Sequence, residues 1–477
     1  MNTSASNNWF DKLDLPRRDD SARSYRILVV DHVGLQKEAG GLPDCSAFVD
    51  HIRRRGAQFV WQAQGVTSGS GNIVFEYRPE LYLDAELIQV AAQRRFDGVI
   101  AAATRIPPAA LFPEGGVRIG AGTANMASES FTSGCAPLMN TPGFNSRATA
   151  QMVFKALLRV SPDLPLEDLH QQVVDGRFDT GVNLSQFPTR KLEGQRIAVL
   201  GYGNIGREVA LLGQAFGMRV SVYARPALQS WIEAQGFDFC STPRDAANGA
   251  DVLSVHLGLG RSTEQGFSNL GIIDSRVLHT LAPGAVLINF DRGELLNVAD
   301  LSAALDTGKI SKIAIDADIF QSPGGVTGPL EPYLALESNY KGRVLLLPHA
   351  AADTDHPSRV AGAIQAADQM LAAIRFGSVM NLVGSLPDGY HNLGIHRPPG
   401  IGRVSAESVA SFASNRAQLA KARNNLAVLD KWLVALGEGD WDSTQAQTQD
   451  TQAAVLALNQ LCTDARSAGL VGPGDKL

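Results

Sequence analysis

Residues Val199 to Gly206 read V-L-G-Y-G-N-I-G, three spaced glycines at the junction of a strand-like run and a helix-like run. The run Arg196 to Leu200 is apolar, as a strand buried in a parallel sheet should be. Gly201 lets the chain turn tightly out of that strand. Gly203 lets backbone approach a pyrophosphate, and Gly206 lets the next helix, Ile205 to Phe216, pack closely on the sheet. That helix directs its first N–H groups at the phosphates. A second strand signal, Arg219 to Tyr223, stands where a βαβ unit needs it, so the spacing predicts a dinucleotide site.

The end of the second strand bears on which dinucleotide is held. An acidic residue there accepts hydrogen bonds from a ribose 2′-hydroxyl. Here the chain reads Tyr223-Ala224-Arg225-Pro226, with Ala in the acid's place and Arg beside it. A carboxylate would repel a 2′-phosphate, whereas a guanidinium binds it in a fork. NADP(H) is therefore favoured over NAD(H), although an Arg225 stacked on adenine would leave both open.

The remaining composition excludes several classes. The 477 residues suffice for two or three domains, and a net charge of −6 offers no basic field for nucleic acid or an anionic membrane. No apolar run reaches the roughly 18 residues of a membrane span. Residues 1–8 lack the charged and apolar regions of a signal peptide. Cys45, Cys135, Cys240 and Cys462 are far apart, which suggests neither a disulfide framework nor a thiolate metal site. A reduced, cytoplasmic setting is expected.

Strand signals alternate with helical ones along most of the chain. They include Ile27 to Val30, Gln58 to Trp61, Gly98 to Ala101, Asp251 to His256, Ala285 to Asn289, Ile313 to Asp316 and Val344 to Leu347. Helical signals include Asp44 to Arg55, Ala85 to Arg95 and Arg147 to Arg159. Such alternation argues for doubly wound parallel sheets. Residues 1–24 read as a loose arm whose Trp9 and Phe10 could dock on a neighbour. The loops Thr67 to Tyr77 and Ile106 to Phe112 are expected to shape a substrate pocket. Beyond about residue 390 the pattern changes. Phe412, Leu419, Leu426 and Leu433 recur every seven residues, with Ala422, Leu429 and Leu436 as companions and Asn415 at the weak end. A second helix, about Thr444 to Ala468, carries Val455, Leu458, Cys462 and Ala465 on one face. This tail reads as a helical hairpin serving packing or oligomerisation.

Two segments at strand ends carry chemistry. Arg292 in Asn289-Phe290-Asp291-Arg292-Gly293 can clamp a carboxylate and polarise the adjacent carbonyl. His349 in Leu347-Pro348-His349 is the best placed of nine histidines for acid/base work. His256 stands at a strand end near the expected cofactor and reads as structural. His349 and His356, with Asp353 and Asp355 between them, are spaced poorly for a metal, so no metal is expected.

Together with Gly120-Ala121-Gly122, Asn140 to Asn145 and Gly308 to Asp316, these motifs resemble the D-isomer-specific 2-hydroxyacid dehydrogenase family over residues 25–390. The resemblance implies two Rossmann-like domains, with the nucleotide domain (145–354) inserted into the substrate domain (25–144 and 355–390). A helical extension (391–477) lies outside it. It implies cofactor contacts at Gly201, Gly203, Asn204, Ile205, Gly206, Ala224, Arg225, His256 and Asp316. A small acid substrate would be held by Arg292 and by backbone around Ala103, Thr104 and Gly122, with His349 passing the proton. The family's third catalytic residue, a Glu five places after Asp316, is Gln321 here, and Ala124 and Ala127 replace its first-domain Asp residues. A neutral amide supplies no charge to the imidazole, so Asp318 and Glu331 stand as alternative partners. Gln321 also keeps open formate-type oxidation of a small oxyanion, or a dimeric nucleotide sensor. The leading expectation is an NADP(H)-dependent reductase of 2-oxo acids, working as a homodimer with the tail at the interface.

Overall fold

The computed structural model describes residues 9–13, 15, 23–35, 43–62, 72–80, 82–104, 106–107, 109–120, 136–161, 165–187, 191–260, 262–263, 266–322, 324–396, 416–437, 440 and 450–458. Met1–Arg397 and Pro398–Leu477 form separate compact units.

The first unit holds two seven-stranded sheets. One runs Leu382–Val383, Leu138–Asn140, Gly116–Arg118, Gly98–Ala101, Tyr25–Val30, Ile73–Arg78, Gln58–Trp61. All neighbours are parallel except the first pair. Tyr25–Val30 is an interior strand, between Gly98–Ala101 and Ile73–Arg78, and Ile27 to Val30 are wholly buried, as a strand covered on both faces requires. From this strand the chain places Gln58–Trp61 at one edge and Ile73–Arg78 in between, then crosses to lay Gly98–Ala101, Gly116–Arg118 and Leu138–Asn140 on the other side. The carboxyl end of Tyr25–Val30 is thus a switch point, where α/β sheets gather ligands.

The strand Ile73–Arg78 corrects the expected pocket loop Thr67 to Tyr77, whose later residues lie inside the sheet instead. Glu76 and Arg78 disguise it by interrupting the apolar pattern. In the fold, Glu76 is buried between Arg26 and Arg78, with Arg78 Nη2 at 2.6 Å, which satisfies its charge.

The second sheet runs Val344–Leu347, Ile310–Asp316, Ala285–Asn289, Val252–Val255, Arg196–Leu200, Arg219–Tyr223, Asp238–Cys240, all parallel. Period-two alternation sends Ile197, Val199 and Val222 to one apolar cluster and Ala198, Leu200 and Leu253 to another on the opposite face. Each such buried Val, Ile or Leu contributes roughly 1.5–3 kcal/mol. The helices Ser146–Val160 and Asn204–Ala215 cover the first face, where Phe154 stacks on Phe216 with centroids 5.1 Å apart.

Chain order makes the second sheet an insertion into the first. The polypeptide leaves the first sheet at Asn140, builds the second, and returns through the helix His356–Phe376. Ala363, Ala366, Ala367 and Met370 of that helix join the first sheet's core. Its Asp368, fully buried, accepts from His51 at 2.7 Å and Arg55 at 3.0 Å. Phe10 packs in the same core, with the Arg55 guanidinium 4.4 Å from its ring centroid and Phe376 at 6.1 Å. Trp9 packs against this core as well, so the arm's aromatic pair docks on its own chain rather than on a neighbour.

In the second unit, the helix Arg416–Gly437 and helical residues 450–458 are described. The heptad residues Leu426, Leu433 and Leu436 are exposed and Leu429 is half-buried, while Ala435, Thr451 and Ala454 are buried. Among the described side chains, three of the expected seam leucines are therefore uncovered. Phe412, Asn415, Cys462 and Ala465 lie outside the described residues. No helix among those described is long and apolar enough to cross a membrane.

Candidate active site

Every second-domain residue singled out from sequence lies at or just past the carboxyl end of a strand, except Gln321 and Glu331. The glycine fingerprint shows by its contacts why glycine is required. Gly201 has φ +103°, and a Cβ there would stand 2.2 Å from the carbonyl oxygen of His256. A Cβ on Gly206 would stand 1.9 Å from the carbonyl oxygen of Gly201. Gly203 faces open space, as backbone that must admit a pyrophosphate should. It caps the helix Asn204–Ala215, so the amides of Asn204, Ile205 and Gly206 form its first turn. Gly206→Ala should displace that turn and weaken dinucleotide binding by at least tenfold. Cofactor titration of the folded variant checks this, and unchanged affinity would refute the close-packing argument.

Ala224 is buried at the end of the next strand, whereas Arg225 is exposed. Its side chain has no ion pair or hydrogen bond among the described residues. His256 is buried behind the fingerprint, with Nε2 2.8 Å from Ser254 Oγ. Burial pushes its pKa down to about 3, so the ring stays neutral, and its Nδ1 is buried without a hydrogen-bond partner. A close-packed glycine cradle, an open Gly203, an unengaged Arg225 and an orphaned ring nitrogen together fit a dinucleotide.

The chemical cluster gathers around Asp318. Arg292 Nη1 lies 3.9 Å from Asp318 Oδ2, and His349 Nδ1 lies 3.4 Å from Asp318 Oδ1. Both side chains are largely covered, and the guanidinium donates no hydrogen bond among the described residues, which leaves its fork available to a ligand. Fully buried Asn289 shapes the Arg292 turn, donating to the carbonyl of Arg292 at 2.9 Å and accepting from the amide of Asp291 at 3.3 Å. His349 sits at φ +56°, a left-handed conformation that costs a β-carbon-bearing residue energy and is common at functional sites.

Gln321 does not partner His349. It lies exposed on a two-stranded ribbon, Phe320–Ser322 with Gly325–Thr327, and makes no hydrogen bond to the imidazole. Glu331 is also exposed, at the start of a short helical turn. Asp318 holds the place next to His349, and a formate-type reading loses the Gln–His pairing that suggested it. The ribbon returns to brace the site. Leu330 N–H donates to the carbonyl of Asp318 at 3.1 Å, and Tyr333 Oη donates to that of Gly293. A Cβ on Gly293 would meet the carbonyl oxygen of Pro329 at 2.5 Å.

Asp316 was expected to touch the cofactor. Its carboxylate accepts from the amides of Ala350 at 2.6 Å and Ala351 at 2.8 Å, which fixes the loop carrying His349. Asp31, unnoticed in the sequence, does the same in the first domain. At φ +65° it accepts from the amides of Ala102, Ala103 and Thr104 at 2.8–2.9 Å. The amides of Ala103 and Thr104 expected to hold a substrate carboxylate therefore already have an acceptor. Gly120 donates its amide to Thr141 Oγ1 at 2.9 Å, and Gly122 lies outside the described residues, as do Ala124 and Ala127.

Asp291 was also overlooked. Its Oδ1 is 3.9 Å from Arg292 Nε. Burial pushes its pKa up to about 7, against the pull of Arg292 and with the push of Glu294. His356 turns away from His349: its Nδ1 accepts from the Leu35 amide at 3.1 Å and its Nε2 is 3.8 Å from Asp44. Among the described residues no three His, Cys, Asp or Glu side chains converge on a metal position.

The model of the D-isomer specific 2-hydroxyacid dehydrogenase NAD binding domain matches residues 164–351. A glyoxylate reductase of Aeropyrum pernix is 30% identical over 245 residues, spanning 51% of this chain and 68% of its own. A glyoxylate reductase of Thermococcus litoralis is 28% identical over 248 residues, spanning 51% and 69%. A solved acyclic imino acid reductase, in complex with NADPH and D-Arg, shares the fold with TM-score 0.54 at 18% identity, over 75% of this chain and 99% of its own.

Proposed function

Since the chain belongs to the D-isomer-specific 2-hydroxyacid dehydrogenase family, we propose that it is an NADP(H)-dependent reductase of small 2-oxo acids, with Arg292 and His349 as its working pair. The wider class, NAD(P)-dependent oxidoreductases of 2-hydroxy and 2-oxo acids, follows from membership. One observation carries the finer reading: Arg292 and His349, from different strand ends, converge on the single carboxylate of Asp318.

When bound, the nicotinamide supplies or accepts the hydride. Arg292 binds the substrate carboxylate through its free fork and draws electron density from the neighbouring carbonyl. His349 delivers a proton to the carbonyl oxygen in reduction and removes it from the hydroxyl in oxidation. The 145–354 segment would carry the cofactor, and 25–144 with 355–390 the rest of the substrate pocket. Turnover of a 2-oxo acid panel with NADPH tests this, and absence of reduction across the panel would reject it.

Arg225 supports the cofactor preference. Arg225→Ala should weaken NADPH by about 10- to 100-fold, the value of roughly 1.5–3 kcal/mol for a charge-assisted hydrogen bond, and leave NADH within about twofold. Fluorescence titration of both cofactors reads it, and equal losses would remove the preference argument. A homodimer is supported by the apolar side chains exposed on the 165–187 arm, Leu166, Val173, Val174, Val182 and Leu184. A reduced compartment fits the buried free thiol of Cys45.

A further inference from the structure

Arg292 has a carboxylate at each edge, Asp318 beside Nη1 and Asp291 beside Nε, both at 3.9 Å. The two differ in their surroundings. Asp318 also has His349 at 3.4 Å, so its charge has two cationic neighbours whenever the imidazole is protonated. Asp291 faces Arg292 and the like charge of Glu294 on its own turn, with Tyr333 closing that turn through Gly293. Asp318, with His349 beside it, is approached by a different nitrogen of the guanidinium. With the imidazole neutral and both Asp residues ionised, the cluster is net negative before any substrate arrives. A 2-oxo acid brings one more negative charge.

We propose that Asp291 competes with the substrate carboxylate for Arg292, so that binding a 2-oxo acid is coupled to the uptake of one solvent proton by Asp291. When a substrate carboxylate engages the fork, the guanidinium no longer compensates Asp291, and the charged form of this half-buried acid becomes the costly one. Burial already places its titration near neutrality. Asp291 is thus a positioning residue that sets the pH range in which Arg292 accepts an anion. This rests on Arg292 being the carboxylate-binding group.

The test is oxamate, an unreactive 2-oxo acid isostere, titrated against the NADPH-loaded enzyme from pH 5.5 to 8.5. An imidazole also changes charge between roughly pH 5 and 8, so the measurement is made in His349→Asn as well as in the unaltered protein. In His349→Asn, the Kd should rise about tenfold per pH unit above about pH 7, as linkage to one proton requires. Adding Asp291→Asn should flatten that rise and restore tight binding at pH 8.5. Calorimetry of His349→Asn in two buffers of different ionisation enthalpy should find one proton taken up per oxamate at pH 8, with position 291 unaltered. A flat profile in His349→Asn, or a slope surviving Asp291→Asn, would overturn the coupling. Failure of the unaltered enzyme to bind oxamate at any pH would instead overturn Arg292 as the carboxylate site, and the coupling with it.

Discussion

Arg292→Ala should lower kcat/KM for 2-oxo acids by about 10³-fold, equivalent to roughly 4 kcal/mol of transition-state stabilisation. The guanidinium sits between Asp291 and Asp318 and donates to neither at hydrogen-bond distance. Its fork is therefore held in place without being saturated. Removing it leaves the Asp318 carboxylate facing an anionic substrate with no guanidinium between them, so repulsion adds to the lost attraction. Arg292→Lys should recover little, because an ammonium is a point charge that cannot match a carboxylate in two parallel bonds. NADPH affinity should stay within about twofold, since the fingerprint lies on a different strand end. Steady-state kinetics with cofactor titration decide the matter, and a loss smaller than tenfold would mean that another group binds the acid.

His349→Ala should reduce kcat by about 10²- to 10⁴-fold, the range for a positioned general acid or base. The loss should fall mainly on kcat, because proton transfer is required in the transition state and ground-state binding depends on Arg292. Asp318→Asn should give part of the same defect, since it removes the anion facing both His349 and Arg292. Asp318→Glu should recover some of it. A kcat unaffected by Asp318→Asn would reduce the 3.4 Å approach to a structural contact. Gln321→Glu, by contrast, should change neither parameter by more than about twofold, because that side chain is exposed on its ribbon.

Much of this architecture was readable from residue pattern. Strands such as Arg196–Leu200 and Ala285–Asn289 are apolar apart from one terminal residue each, because helices cover both faces of their sheet. The glycines announced themselves because contacts of 1.9 and 2.2 Å leave no room for a β-carbon. What escaped depended on long-range pairing. Ile73–Arg78 looked like a loop because its Glu76 is neutralised by Arg26, which lies on another strand. Counting from Asp316 to a catalytic carboxylate landed on Gln321 because counting assumes one chain course. The ribbon carries residues 320–327 away from the site and leaves Asp318 beside the imidazole. The amides of Ala102 to Thr104 seemed available until Asp31, some seventy positions earlier, proved to occupy them. In the tail, a seven-residue period was legible, yet Leu426, Leu433 and Leu436 are exposed, because periodicity records a stripe and not what covers it.

The insertion of one sheet within the other means that, among the described residues, two stretches of polypeptide pass between the lobes, one after Asn140 and one after Leu347. Any rotation of the lobes must be absorbed as torsion in those two passes. The second contains His349 itself, already at φ +56°, and ends where His356 takes the Leu35 amide. The residue proposed to move the proton thus sits on one of these two passes. Opening and closing would turn the imidazole as well as admit the substrate, so a reactive geometry can exist at only one position of the swing.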